Sequence, residues 1–536
     1  MILSISLCVV LLGVAAGFPL QRYVILDHAW EFEPPRQQSS LMYLERSSSH
    51  PLGASKASNT TATVVEDWFH DQLLDHKGTK HTDVVWSQRY FSNSQYYGGP
   101  GYPVFFYISG ESPASSSAVT SSGMFHVELA RTFRAILVTL EHRYYGKSVP
   151  SDDLTTDSLE FLTSEQAIGD IVRFQAFFNA KLNVTRTNWV AFGGSYPGML
   201  AAWTQLQHPT AFAGVVASSA PVHATYNLVA YSQAVSDGLR RYGNDTCVTV
   251  VRSAMAEVHR LLSSQDERDS ARFRDLFNPC HAITTDDDRS VMESLVYDMF
   301  ASTAQANNDD VGGGVAGLTL AGMCAAFRSN DGAVPVQLVA TLFNRTVAKA
   351  KCVDARYHTR FAPFHDVNVS TSNMFRQWGY QLCAEFGFGQ STTTKHKSPM
   401  TTSTSSSTSS TSAFSPLEFI TVDRTFGRMC KEAYNISNVP KRVDMTNAKY
   451  GGVGVLNAAQ NVVFSSGSMD PWSPVVVTNA TTKRTNSTSS TVVDIQDAAH
   501  CRDLYARRSG DSSHVVWAHN LIEAAVDNFL KSKPCQ

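Results

Sequence analysis

The chain has 536 residues, of which 43% are hydrophobic and 17% are charged, and its formal net charge is −3. This length is too great for one small core, so it predicts two domains or one domain with a large insertion. The near-neutral charge argues against a nucleic-acid partner, which would usually require a basic surface.

The first 17 residues, MILSISLCVVLLGVAAG, form an apolar run that ends in small residues. The run is short for a membrane span, and although no Lys or Arg precedes it, we interpret residues 1–17 as a cleaved signal peptide. No later segment is apolar and long enough to cross a bilayer. The sequence therefore predicts a protein of the secretory pathway, either extracellular or lysosomal/vacuolar.

Cysteines and sequons agree with passage through the endoplasmic reticulum. Of the nine cysteines, Cys8 leaves with the signal peptide, and the remaining eight are an even number that predicts disulfides of unspecified pairing. Asn-X-Ser/Thr sequons predict N-glycosylation at several positions. These are Asn59, Asn183, Asn244, Asn344, Asn368, Asn435, Asn479 and Asn486.

Residues 18–60 are polar and lack periodicity, which predicts a propeptide or a flexible lead-in. Beyond them, apolar runs predict buried parallel strands at 102–110, 134–142, 188–194 and 212–219. Residues 161–182 have helical spacing, with Thr163 or Ser164 as the cap. Strands that alternate with helices are typical of an α/β sheet with crossover connections, so we assign 61–225 to the first part of such a core.

The pattern changes near residue 225. The segments 250–262 and 291–300 have helical spacing, and six of the remaining cysteines lie between 226 and 445. We therefore predict a mainly helical insertion over 226–445 that is stapled by disulfides. Within it, the Ser/Thr-rich stretch 391–415 cannot bury a core and predicts a disordered loop that is open to O-glycosylation.

Strand character returns at 461–467 and 491–497, and a closing helix follows around 514–531. The sheet therefore resumes after the insertion. We assign 446–536 to the second part of the core.

The stretch AFGGSYPGML, residues 191–200, places Ser195 between a predicted strand and a predicted helix. A nucleophile elbow requires this setting, because its strand turns sharply into a helix and exposes the serine. The strained backbone needs small neighbours, which Gly193 and Gly194 provide. On this motif alone, a glycine-rich turn with an inert serine stays open as the alternative.

A serine nucleophile needs a base, and the base needs a carboxylate to orient it. In α/β-hydrolases the chain order is Ser, then Asp or Glu, then His. Asp470 and His500 each follow one of the two late strands, so both the order and the loop positions fit. Lower-ranked competitors are Asp494, Asp497 and Asp503 for the acid, and His514 and His519 for the base.

Four motifs resemble those of one known family. They are GGSYPGMLAAW around the serine, LEHRYYGKS at 140–148, SGSMDPWS at 466–473 and AAHCRDL at 498–504. They look like the motifs of the lysosomal Pro-Xaa carboxypeptidase family, which also includes dipeptidyl peptidase II and thymus-specific serine protease. The resemblance runs from about residue 65 to the C-terminus. With the strand and helix pattern, it predicts an α/β-hydrolase core with a mainly helical cap insertion and no metal or cofactor.

The resemblance implies Ser195 as the nucleophile, His500 as the general base and acid, and Asp470 as the residue that orients His500. It also implies a pocket before the scissile bond that Met199 and Trp472 help to line. An indole and a thioether form an apolar slot that suits a proline ring. The alternative is that Met199 and Trp472 are simply core residues.

The resemblance places the oxyanion-hole donors at the backbone N–H of Tyr196 and in the loop near Gly110 and Glu111. The family usually has two glycines before the glutamate, where this chain has Ser109 and Gly110. The serine in place of glycine leaves the backbone N–H donors of this loop in place.

These observations predict a serine exopeptidase that cleaves short peptides after proline or a small apolar residue, with peptides as its partners. Two alternatives stay open: an esterase or lipase on the same fold, since a fold does not fix the substrate, and a catalytically silent binding protein. The charged triplet Glu141, His142 and Arg143 is expected to form structural ion pairs. The direction of exopeptidase cleavage and the oligomeric state stay open, with a homodimer among the options.

Overall fold

The computed structural model describes residues 63–184, 188–307, 318–329, 332–349, 351–393, 412–485 and 489–531. The predicted signal peptide, the lead-in, most of the Ser/Thr-rich stretch, Asn59, Asn486 and Cys535 lie outside the described residues. Within these ranges, no helix is long and apolar enough to cross a membrane.

Eight strands form one central, mostly parallel sheet with the spatial order β1-β2-β4-β3-β5-β6-β9-β10. They are β1 (Val64–Leu73), β2 (Val85–Asn93), β3 (Val104–Ile108), β4 (Ile136–Leu140), β5 (Trp189–Gly194), β6 (Gly214–Ser218), β9 (Val462–Gly467) and β10 (Thr491–Ile495). Only the pairs β1–β2 and β2–β4 are antiparallel. A second, parallel pair joins β7 (Thr225–Asn227) to β8 (Gly387–Gly389).

The α-helices in the described part of the chain are α1 (Ser117–Thr120), α2 (Phe125–Phe133), α3 (Ser164–Lys181), α4 (Tyr196–Gln207), α5 (Val229–Ser263), α6 (Glu267–Phe277), α7 (Asp286–Gln305), α8 (Leu320–Arg328), α9 (Pro335–Phe343), α10 (Tyr357–His365), α11 (Phe375–Gln381), α12 (Arg428–Tyr434), α13 (Val439–Tyr450) and α14 (Ser513–Lys531). Short π-helical turns occupy Asn344–Ala348, Leu382–Phe386 and Asp423–Gly427.

The central strands are continuous apolar runs because helices cover both faces of the sheet. In β3, every residue is buried. Phe106 lies 6.2 Å from Phe174 of α3, centroid to centroid, whereas Phe105 lies 5.9 Å from Phe133 of α2 on the opposite face. Helix α3 begins after Thr163, whose side chain accepts a hydrogen bond from the Gln166 N–H as an N-cap. The predicted α/β-hydrolase fold is confirmed.

The antiparallel strands β1 and β2 were not predicted from the sequence. Most residues of β1 are exposed or half-buried, because it forms an edge of the sheet. Its polar residues break the apolar pattern on which strand prediction depends.

Between β6 and β9 the described chain is mainly helical, from α5 to α13, with the small β7–β8 pair. Three disulfides lie in this part of the chain: Cys247–Cys324, Cys280–Cys352 and Cys383–Cys430. The expectation that all eight cysteines pair is wrong for Cys501, which is a buried free thiol. The other six described cysteines pair with one another, which leaves Cys501 no partner among them.

The sequons in the described part of the chain differ in exposure. The exposed asparagines are Asn183, Asn244, Asn368, Asn435 and Asn479. Asn344 is half-buried, and its Nδ2 donates a 2.7 Å hydrogen bond to the carbonyl oxygen of Leu276. Its amide nitrogen is thus less accessible to a glycosyl donor than those of the exposed sites.

Candidate active site

Ser195 occupies the turn between β5 and α4, with φ 60° and ψ −129°. A positive φ is costly for a non-glycine residue and is characteristic of functional turns. The Ser195 N–H donates a 2.9 Å hydrogen bond to the carbonyl oxygen of Ser218, at the end of β6. A Cβ atom on Gly193 would lie 2.3 Å from the carbonyl oxygen of Pro197, so the turn closes too tightly for any side chain there. The strand–turn–helix geometry is that of a nucleophile elbow.

His500 and Asp470 lie on the loops that follow β10 and β9. The Nδ1 atom of His500 is 2.8 Å from Oδ2 of Asp470, and both side chains are buried. Burial disfavours the imidazolium, but the Asp470 carboxylate and the Cys501 side chain outweigh it, so the pKa of His500 is raised above its ordinary value. With the Nδ1 proton directed at Asp470, Nε2 of the neutral ring is an acceptor.

Ser195 and His500 line the same open cleft. Gly110 and Glu111, in the loop after β3, form part of its wall. A Cβ atom on Gly110 would lie 2.6 Å from Cγ of Pro197, so this loop lies directly against the first turn of α4. The loop predicted to hold oxyanion donors is therefore next to the serine.

Tyr196 is the first residue of α4, where backbone N–H groups have no partner within the helix. Its hydroxyl lies 2.8 Å from Nε2 of His142 and accepts a 2.8 Å hydrogen bond from Nε2 of Gln381. Because Nδ1 of His142 lies 2.7 Å from the carbonyl oxygen of Arg143, it carries the proton, and Nε2 accepts from the tyrosine. Burial lowers the pKa of His142 to about 4, which keeps the ring neutral.

Two of the carboxylates that compete with Asp470 for the role of triad acid bind residues other than His500. Asp494 accepts hydrogen bonds from the backbone N–H and the side-chain amide of Asn479, at 3.1 and 2.9 Å. Asp497 forms a bidentate pair with Arg241, with both distances at 2.8 Å. The geometry therefore supports Asp470 as the carboxylate that orients His500.

Asp503 has a different set of contacts. It accepts hydrogen bonds, at 2.6 and 2.7 Å, from the hydroxyls of Ser218, the last residue of β6, and Ser465, which lies within β9. Its backbone oxygen lies 3.2 Å from Nε2 of the buried His519. His514 is exposed near the start of α14.

Trp472 and Met199, the predicted pocket residues, are both buried and do not line the open cleft. The ring of Trp472 meets the rings of Tyr231 and Phe388 edge-on, with centroids 5.2 and 5.3 Å away. It lies 6.4 Å from the His500 ring, so the structure brings Trp472 to the histidine. Met199 lies in the hydrophobic core with the other buried residues of α4.

The sequence gives no sign of one residue of the predicted insertion that contacts two of the three triad loops, those of His500 and Asp470. Gln305, the last residue of α7, accepts the N–H of His500 at its backbone oxygen, 3.2 Å away. Its Oε1 accepts from the indole nitrogen of Trp472 at 3.1 Å and from the hydroxyl of Tyr231 at 2.8 Å. A glutamine at a helix end matches no motif, so no sequence signal marks it.

Two members of the charged triplet that follows β4, Glu141 and Arg143, form the expected ion pairs, whereas His142 is neutral and lies 2.8 Å from the Tyr196 hydroxyl instead. Glu141 is fully buried and pairs with Arg89, and it also accepts the N–H of Ala114 at 2.9 Å. Arg143 holds Asp170 with two hydrogen bonds of 2.6 and 2.7 Å. These contacts fix the core beside the cleft.

Comparisons with known proteins agree with this geometry. The family model described as serine carboxypeptidase S28 matches residues 72–522. A Caenorhabditis elegans protein, K12H4.7, is 31% identical over 87% of this chain and 88% of its own. The thymus-specific serine protease of Homo sapiens is 28% identical over 92% of this chain and 91% of its own. The lysosomal Pro-X carboxypeptidase of Mus musculus is 25% identical over 84% of this chain and 86% of its own.

Proposed function

The chain belongs to the serine carboxypeptidase S28 family and is a serine peptidase, and we propose that it is an exopeptidase that uses Ser195, Asp470 and His500 as its triad. The observation that carries the proposal is the 2.8 Å contact between His500 and Asp470, beside a cleft that His500 shares with the strained Ser195. Its substrates are short peptides, cleaved after proline or a small apolar residue.

In the proposed reaction, Oγ of Ser195 attacks the scissile carbonyl carbon while Nε2 of His500 accepts the hydroxyl proton. The C–N bond then breaks, and His500 returns that proton to the leaving amine, which leaves an acyl-enzyme. Water, deprotonated by His500, attacks the ester, and Ser195 regains its proton. Asp470 holds the tautomer of His500 and stabilises the imidazolium that forms twice in the cycle.

The oxyanion of each tetrahedral intermediate would accept hydrogen bonds from the backbone N–H of Tyr196 and from the loop at Gly110 and Glu111. The close packing of Gly110 on Pro197 supports this assignment, because it fixes the loop against the start of α4. Each such donor contributes roughly 3–4 kcal/mol to transition-state stabilisation in enzymes of this kind.

Contacts between the proposed insertion and the site support action on chain ends. Gln305 reaches the loops of His500 and Trp472, and Gln381 holds the hydroxyl of Tyr196. An insertion that contacts the site in this way would leave little room for the middle of a folded polypeptide to enter the cleft. Trp472 is buried behind the open cleft, 6.4 Å from the His500 ring, and a substrate ring that packs against this aromatic cluster would be apolar, such as proline, and not a charged side chain.

The proposed compartment is extracellular or lysosomal. Three disulfides are typical of an oxidising compartment, and one relative carries the word lysosomal in its name. We also propose a homodimer as the oligomeric state to test, by light scattering of the secreted protein.

One experiment tests the activity. The wild-type protein and Ser195→Ala are incubated with matched free, N-acetylated and C-amidated prolyl peptides, and the products are identified by mass spectrometry. We expect wild-type cleavage at one chain end, no turnover by the folded Ser195→Ala variant, and no covalent labelling of that variant by a fluorophosphonate. Turnover of acyl esters without peptides would favour an esterase, and absence of labelling in the wild type would favour a silent binding protein.

A further inference from the structure

The orientation of the Gln305 carboxamide follows from its partners. An indole nitrogen is a donor only, so the Gln305 atom that contacts Nε1 of Trp472 must be the oxygen. The hydroxyl of Tyr231 donates to the same oxygen from 2.8 Å. The two N–H donors of Gln305 therefore point away from both aromatic residues.

Those donors have no acceptor among the residues that the structure describes. Nε2 of Gln305 is buried and unpartnered, and the whole residue is only 2% exposed. Buried amide donors are almost always satisfied, because an unmade hydrogen bond inside a protein is costly. Because two hydrogen bonds to Oε1 fix the orientation of the carboxamide, we expect the Gln305 NH2 group to bind a specific acceptor.

The location of Gln305 indicates what that acceptor is. Its backbone oxygen receives the N–H of His500 and its Oε1 the N–H of Trp472, so the residue lies between the loops of these two side chains, buried behind the wall of the cleft. We propose that Gln305 is a substrate-binding residue whose NH2 group donates to an oxygen of the bound peptide. The inference rests on the proposed function, since it assumes that a peptide occupies this centre.

The chemistry restricts the partner to an acceptor oxygen. Two N–H donors complement a main-chain carbonyl or a terminal carboxylate, and they offer nothing to an ammonium group. Gln305 therefore contributes to specificity by orienting the peptide from the side of α7. To decide whether Gln305 binds the terminal carboxylate or a main-chain carbonyl, the C-terminus of the peptide is changed, not the enzyme.

The test is Gln305→Glu, which retains an oxygen for Trp472 and Tyr231 but replaces the donors by an acceptor. Prolyl peptides with a free or an amidated C-terminus are compared by kcat and KM. We expect kcat/KM to fall roughly 10- to 100-fold, mainly through KM, which is the scale of one hydrogen bond to a charged or polar group. A fall confined to free-carboxylate peptides identifies the carboxylate as the partner, and an equal fall for both peptides identifies a main-chain carbonyl. Unchanged kinetics for both peptides would overturn the inference.

Asn307 provides a matched control, because its Oδ1 accepts the Leu320 N–H at 2.8 Å while its Nδ2 is likewise buried and unpartnered among the described residues. Asn307→Asp should leave peptide kinetics near wild type, and an equal loss in both variants would overturn a specific role for Gln305. Fluorophosphonate labelling of Ser195 should proceed in both variants, because the small probe needs no peptide contact. If Gln305→Glu fails to fold, Gln305→Met replaces it, and a wild-type KM in that folded variant would overturn the inference. Failure of the wild type to cleave any peptide would instead refute the proposed function.

Discussion

The carboxylate of Asp503 accepts a 2.6 Å hydrogen bond from the hydroxyl of Ser218, the residue whose carbonyl oxygen receives the N–H of Ser195. A second bond, from Ser465, ties the same carboxylate to the strand that leads to Asp470. Because Asp503 lies three residues after His500, one buried side chain links the loops of all three triad candidates.

We predict that Asp503→Ala lowers the free energy of unfolding by about 3 kcal/mol, since it removes two hydrogen bonds to a buried carboxylate. The same variant should also slow fluorophosphonate labelling of Ser195, because Ser218, which accepts the Ser195 N–H, loses its hydrogen bond to Asp503. Chemical denaturation and labelling kinetics measure the two effects. Asp494→Ala serves as the control, because the hydrogen bonds that the structure describes for its carboxylate come from the exposed Asn479 alone. A wild-type labelling rate in Asp503→Ala would show that the hydrogen bonds of Asp503 do not position Ser195.

Gly193 gives a steric test of the elbow. A Cβ atom at this position would lie 2.3 Å from the backbone oxygen of Pro197, whereas a Cβ atom on Gly454 would meet nothing within 4 Å. Gly193→Ala should therefore abolish labelling of Ser195 or prevent secretion of folded protein, and Gly454→Ala should do neither. A folded, fully labelled Gly193→Ala protein would contradict the tight turn.

The core around this elbow could be predicted because its signal is local. The central strands are apolar runs, and the small residues beside Ser195 follow from the sharpness of the turn. The edge strand β1 was missed because its exposed residues are polar. The contacts of Gln305 and Asp503 could not be predicted for another reason: they depend on partners that are far away in the sequence, such as Trp472 and Ser218. Residues of common type that act through distant contacts leave no spacing pattern.

The pH dependence of turnover should report the ionisation of His500. The enzyme needs the neutral imidazole, and although burial opposes the charge, Asp470 and Cys501 raise the pKa of His500 above its ordinary value. Activity should therefore fall as the pH drops through a value above that of an ordinary histidine. Asp470→Asn should reduce kcat by about 10⁴-fold, as in other triads, and shift the remaining acid limb to lower pH because the anion is lost. An unshifted limb in Asp470→Asn would exclude Asp470 as the source of the raised pKa.

The buried Asp298 on α7 should make the stability of the folded protein depend on pH. Its two carboxylate oxygens are buried without a hydrogen-bond partner among the described residues. Burial raises the pKa of Asp298 well above its ordinary value, against a smaller opposing effect of Arg360. The folded state therefore binds the proton more tightly than the unfolded state, and its stability is lost as the pH rises through the folded-state pKa.

Asp298→Asn should remove this dependence. We expect the melting temperature of the variant to exceed that of the wild type at pH 7 and to approach it near pH 4, measured by thermal unfolding in matched buffers. Asp245→Asn, at a side chain that is 87% exposed, should leave the wild-type pH dependence unchanged. A pH-independent difference between Asp298→Asn and the wild type would rule out titration of Asp298 as the cause.

Trp472 tests whether the aromatic cluster beside His500 selects the substrate. The indole contacts Tyr231 and Phe388 edge-on and donates to Gln305, so its removal affects both an apolar surface and the orientation of one amide. Since Trp472 is 1% exposed, Trp472→Ala should also destabilise the fold by roughly 3–5 kcal/mol, and stability must be measured beside activity.

We predict that Trp472→Ala lowers kcat/KM for prolyl peptides by roughly 10- to 200-fold, the scale of a lost apolar pocket contact, while Ser195 still reacts with a fluorophosphonate. Trp472→Phe should lose less, because it retains an aromatic face for the proline ring and gives up only the bond to Gln305. The informative quantity is the ratio of kcat/KM between prolyl and alanyl peptides. A pocket residue makes that ratio fall in Trp472→Ala, because the proline ring loses more contact area than an alanine methyl group. If prolyl and alanyl substrates lose equally, Trp472 supports the fold and does not select the substrate, and the pocket must be sought among other residues near His500.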